Sequence, residues 1–184
     1  MMRKSLKMTF ITVIGILLSQ FALANNLSEA QRTLIISNAY LRQIQAHPSL
    51  AFNINIARQY AAIADMVCEE KSLPLKIKAE GCVITSGVLG MIANQRGQPD
   101  GRDDGIESYR KVIEALHYNP DNKEAIFGHA DALIGVHQEN FLVRFFVKKT
   151  LHTTIKVEAE RARDGLARIG AQNTNEYRQV LEML

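Results

Sequence analysis

Few side chains in this sequence stand at spacings that chemistry uses. Cys68 and Cys82 are its two cysteines, and an even count favours a disulfide in a chain that leaves the reducing cytoplasm. Leu73, Pro74 and Leu75 read as a turn between two helices, with the cysteines about equally far on either side. In an antiparallel hairpin such residues come opposite each other, as bridge geometry requires. The competing reading is two free thiols, each packed as a small apolar residue. A metal at this pair is not expected, because no His or further Cys stands nearby at ligand spacing.

The histidines are His47, His117, His129, His137 and His152. None forms the pair around a glutamate that zinc hydrolases place on a helix. His129 and His137 lie eight apart on one expected helix and could share a face with a donor from elsewhere, which would suit a carrier of a small ligand or metal. The plainer reading of each is a core histidine with its hydrogen bonds met. Asp100 to Gly105 superficially resembles a calcium loop, but with Gly105 at the obligatory glycine, Arg102 and Lys111 fall where carboxylates are required. Glu69–Glu70 and Asp103–Asp104 are paired carboxylates at helix ends, where they complement the helix termini or face water, and acid–base catalysis needs more than adjacency. No nucleophile elbow, phosphate loop, dinucleotide fingerprint or haem-attachment motif occurs. The expectation is a protein that is not an enzyme and carries no cofactor.

Residues 1–24 have the order of a cleavable export signal: Arg3, Lys4 and Lys7, then an apolar stretch from Met8 to Leu18, then Ala22-Leu23-Ala24 as small residues at a cleavage site. The apolar stretch is shorter than the roughly 20 residues that span a bilayer, and the small-residue exit favours cleavage after Ala24 over an uncleaved anchor. No cysteine stands there to carry a lipid. A periplasmic or secreted protein without a stable membrane anchor is expected. The whole chain has 22 basic and 19 acidic residues, and the three basic residues of the leader leave 19 of each behind. Nucleic-acid binding, which needs surplus Lys and Arg to displace counterions, is therefore not expected.

The elements that must position these residues are helical, because apolar residues recur at steps of three and four almost throughout. Ile106, Tyr109, Ile113 and Leu116 form one stripe, and Ile126, Ala130, Leu133 and His137 another. Asn26, Asp104, Asp121 and Asn173 each precede a Glu by three residues, the spacing of a capping box. Pro48, Pro74, the stretch from Gly97 to Gly101, Pro120 and Gly170 read as stops. Together these predict seven helices, near 27–46, 50–71, 76–96, 104–118, 122–137, 141–169 and 174–183, in one all-α domain over 25–184. Phe52 to Ile56 alternates like a strand, and Val83-Ile84-Thr85 is β-branched. Neither has a hairpin partner, and both fit helical stripes, the second with Gly87 and Gly90 permitting close approach. Phe141 to Lys149 is a basic, aromatic run suited to a membrane surface or partner, or to packing through its Phe residues. The alternating charges from Lys156 to Arg168 read as a solvated face.

Around Pro120, small Ser108, apolar Val112, small Ala115, Leu116 and Pro120, followed by Ile126, Ala130 and Leu133, resemble a junction between tetratricopeptide repeats. A weaker echo runs through Tyr40, Ile44, Pro48 and Ile54, with Pro48 and Pro120 separated by 72 residues, near two repeats of roughly 34. The sequence departs from the family at His129, where a leucine is usual, and in the insertion from Gly97 to Asp104. The resemblance implies antiparallel helical hairpins stacked in an array that offers a groove to an extended peptide or helix. Phe127, Asp131 and Ile134 would then line the groove, Phe127 as apolar anchor and Asp131 as polar orienting group. The function it implies is an adaptor or assembly factor of an envelope complex, binding a protein or peptide partner. The alternative is the helical carrier with its pocket near His129 and His137.

Overall fold

The computed structural model describes residue 25 and residues 27–46, 53–97, 99–138 and 153–184. Seven helices and no strand occur among the described residues. They are α1 over 27–46, α2 Ile54–Glu69, α3 Leu75–Arg96, α4 Arg102–Tyr118, α5 Lys123–Gln138, α6 Ile155–Arg168 and α7 Asn175–Leu181. The expected leader and its cleavage point, the cap at Asn26, His47, Pro48, His152 and the run from Phe141 to Lys149 lie outside the described residues.

Local chemistry sets the boundaries. The alternating stretch becomes helix from Ile54, because the Asn53 side chain accepts from the amides of Asn55 and Ile56 at 3.0 and 3.2 Å. Such a cap satisfies donors that the first helical turn leaves free. At the far end of α6, Gly170 takes φ of 77°, its amide donates to Ala167 O, and the Ala171 amide reaches back to Leu166 O at 2.8 Å. That pair of bonds closes the last turn in a way a left-handed glycine permits.

Three of the expected caps do not form at the residues that the spacing marks. Asn122, not Asp121, caps α5 by accepting from Ala125 N at 3.0 Å, and Thr174, not Asn173, caps α7. Asp104 lies inside α4, which begins two residues earlier at Arg102 with no side-chain cap. The helix expected over 141–169 is interrupted at Thr154, which is extended and caps through Val157 N so that α6 begins at Ile155; residues 141–152 lie outside the described residues.

The packing falls into two main cores. In the first, Ala30, Leu34, Leu41 and Ile44 of α1 meet Ala57, Ala61, Ala64 and Val67 of α2 and Ile84, Val88, Leu89 and Ile92 of α3. Each buried Leu or Ile contributes roughly 1.5–3 kcal/mol of burial. Small residues bring α2 and α3 together: a Cβ on Gly81 would stand 2.8 Å from Cys68 N and 2.9 Å from Ala64 O. α3 is buried on most sides, and its β-branched Thr85 is accommodated by donating to Gly81 O one turn back at 2.9 Å. Gly87 faces Leu41, and Gly90 faces Ser108.

The second core joins Ile126, Ala130 and Leu133 of α5 to Ala159, Ala162 and Leu166 of α6, with Ala171 and Val180. Between the two, Cys68, Cys82, Ala115 and Ala125 form a small third cluster. The Cys68–Cys82 disulfide is present, with Cα atoms 4.9 Å apart, across the turn that Pro74 makes.

Candidate functional site

α4 stands between the two cores and buries an unusual set of polar groups. Asp104, Ser108 and Lys111, at steps of four and three, are buried on one side, and Tyr109 is buried next to them. Burying such groups is costly unless each finds partners, and each finds at least one on a helix other than α4.

Asp104 lies 2.8 Å from the Arg58 guanidinium of α2 and 3.1 Å from that of Arg96 on α3. Asp103 and Asp104 both stand in the first turn of α4, as the reading of a helix-end pair has it, but only Asp103 is exposed. Two cations outweigh helix capping for Asp104, so it turns inward. Ser108 Oγ donates to Ser86 O at 2.8 Å, tying α4 to α3.

Lys111 reaches Asp65 at 2.6 Å, Glu69 at 2.7 Å and Glu114 at 3.3 Å. Its ammonium also lies 4.0 Å from Cys68 Sγ. Burial works against the charge of Lys111, yet hydrogen bonds to Asp65 and Glu69 hold its pKa above the usual lysine range. The same hydrogen bond lowers that of Glu69. Tyr118 donates to Glu114 at 2.9 Å, and the Lys78 ammonium stands 4.1 Å from the centre of the Tyr118 ring.

The third node joins α4, α5 and α6. Tyr109 Oη, His129 Nε2 and Glu158 Oε2 form a triangle with edges of 2.9, 3.0 and 3.1 Å. Glu158 Oε1 accepts from Thr153 at 2.8 Å and Arg161 at 2.7 Å. Tyr109 is 5%, His129 2% and Glu158 3% exposed, so all three are buried. Burial opposes ionisation of Glu158, but the hydrogen bonds from His129, Thr153 and Tyr109 prevail and hold its pKa down to about 2. Burial, and then the neighbouring Glu158 charge, push the Tyr109 phenol up. The expectation of a wholly solvated face over 156–168 is therefore corrected at Glu158: two of its partners, Tyr109 and His129, come from helices that the charge pattern does not mention.

Of the groove residues expected on α5, Phe127 and Ile134 are partly buried against the second core, as are Tyr177 and Met183. Asp131 is exposed. Partial desolvation and then the Glu176 charge of α7 raise its pKa. His129 and His137 do not converge: His129 is committed to the buried triangle, and His137 is exposed. The carboxylates of Asp65 and Glu69 gather with Cys68 within 4.8 Å, but the Lys111 ammonium occupies the cation position there and the sulfur is bonded to Cys82.

The described residues thus define an all-helical protein with a disulfide between its second and third helices and a central helix bolted to its neighbours by buried polar groups. No helix among them is long and apolar enough to cross a membrane. Set against protein-family models, curated proteins and solved structures, the chain finds no match.

Proposed function

We propose that this protein is an exported, tetratricopeptide-like interaction module, an adaptor or assembly factor of an envelope complex that works by holding a peptide or helix. One observation carries the reading. α2 leaves Ile56, Ile63 and Met66 exposed, Met66 to 72%, on the side turned away from Ala57, Ala61 and Ala64. Ile56 and Ile63, seven residues apart, share a helix face, and Met66 extends the stripe by one turn. Ile35 and Ile36 of α1 are also exposed, at 69% and 57%. Single exposed apolar side chains are ordinary, but a run of them along one element is what partner surfaces have.

Phe127, Asp131 and Ile134 form a second candidate surface, bordered by α7. The triangle at Tyr109 and the node at Lys111 support a binding role in a different way, by spending the buried polar groups on internal docking. The disulfide accords with an oxidising compartment.

Photo-cross-linking side chains at positions 63 and 131 test the reading in living cells. Position 63 is expected to capture one defined envelope protein, and the double substitution Ile56→Asp, Met66→Asp, with the cross-linker kept at position 63, should abolish capture while leaving thermal unfolding unchanged. Absence of any adduct at both positions, or capture unaffected by the substitutions, rejects it.

A further inference from the structure

The triangle among α4, α5 and α6 sets where its protons lie. Tyr109 Oη, His129 Nε2 and Glu158 Oε2 are mutually within hydrogen-bond distance, and three such contacts need protons to separate the lone pairs. Glu158 Oε1 already accepts from Arg161, a cation at 2.7 Å, and from Thr153 at 2.8 Å. The carboxylate is therefore the ionised, acceptor-only partner. Tyr109 supplies one proton, which its 3.0 Å contact directs to Oε2. If His129 Nε2 carried a bare lone pair, it would face the anionic oxygen at 3.1 Å with nothing between them. A proton on Nε2 turns that repulsion into a hydrogen bond, to Oε2 or to the Tyr109 oxygen. Tautomers are assigned by such networks, and this network assigns a proton to Nε2.

We propose that Tyr109, His129 and Glu158 form a proton-ordered latch, with His129 protonated at Nε2 and Glu158 anionic, that holds α6 and the α7 behind it onto the α4–α5 hairpin. The apolar core behind the latch is built from α5, α6 and α7 and shares no residue with that of α1, α2 and α3, so release of α6 and α7 from α5 opens the second core and leaves the first closed. The charged and titratable groups against Glu158 are Tyr109 from α4, His129 from α5 and Arg161 from α6 itself. Those of α7, namely Glu176, Tyr177, Arg178 and Glu182, make no side-chain hydrogen bond or ion pair with it among the described residues.

Long-range ¹H–¹⁵N NMR on the isotope-labelled protein at neutral pH reads the ring directly. Protonated Nε2 in His129, with Nδ1 either bare or protonated, is the expected result; a bare Nε2 with the proton on Nδ1 overturns the proposal. Amide exchange then reads the latch. In Glu158→Gln the amides of α6 should exchange about tenfold faster or more, the scale of one lost charge-assisted hydrogen bond, while those of α2 and α3 stay within twofold. Equal acceleration in both cores, or none in α6, rejects separate opening of the second core. Should Glu158→Gln fail to fold, Tyr109→Phe removes a single donor and is expected to accelerate α6 by a smaller factor in the same pattern, and the ring assignment in the unsubstituted protein stands as an independent test.

Discussion

At the scale of single residues, a buried charge is worth what its partners make it worth. Glu158 illustrates the pH consequence. Its folded pKa is depressed to about 2, below the value of an unfolded glutamate, so its contribution is fully present above the unfolded pKa and is lost as pH falls towards about 2. Urea-unfolding midpoints are therefore expected to decline between about pH 5 and pH 2, more steeply than in Glu158→Gln. A variant with the same decline as the unsubstituted protein would show that other carboxylates dominate. Asp104 offers a cleaner distinction between two roles. Asparagine caps a helix about as well as aspartate, so Asp104→Asn would be nearly silent if the residue were a cap. Facing Arg58 and Arg96 at 2.8 and 3.1 Å, it is expected instead to destabilise by about 3 kcal/mol, the lower end for breaking a buried pair, measured by chemical denaturation.

At the scale of elements, the helices are joined by small residues and by caps, and both can be tested by conservative changes. Gly81→Ala places a methyl group against the backbone of Cys68 and Ala64, where nothing flexible can yield. The α2–α3 crossing should lose about 1–3 kcal/mol, the usual cost of overpacking, seen as a lower denaturation midpoint. Gly90→Ala meets only the Ser108 hydroxyl at 3.3 Å and should cost less. Thr154 and Thr174 each accept from an amide three residues on, so replacing either by Ala should cost about 1 kcal/mol. Replacing Asn173, which the spacing to Glu176 had marked as a cap, should be close to neutral.

Across the whole molecule, the disulfide and the two cores set how the protein holds together. Cys68 and Cys82 are separated by 14 residues, and opening a loop of this size removes roughly 3 kcal/mol on the chain-entropy account. Reduction should therefore lower the unfolding midpoint, and protein carrying Cys68→Ser and Cys82→Ser should show the same midpoint with or without reductant. Because the bridge touches Lys111, its loss is also expected to loosen α4 against α2, read as faster amide exchange in α4.

Much of this architecture was legible before any coordinates. Apolar spacing placed the helices through α5 and α7, and Pro74 between two equidistant cysteines announced the bridge, since helix period and chain turns are local properties written into nearest neighbours. The residues that defeated such reading are those whose partners lie far along the chain. Asp104 looked like a cap, being three before a Glu, and Glu158 looked solvated, being set among alternating charges. Arg58 is 46 residues from Asp104, and Tyr109 is 49 from Glu158. Where a polar side chain ends up depends on which donors the packed helices bring within about 3 Å, and that geometry exists only once the cores have closed.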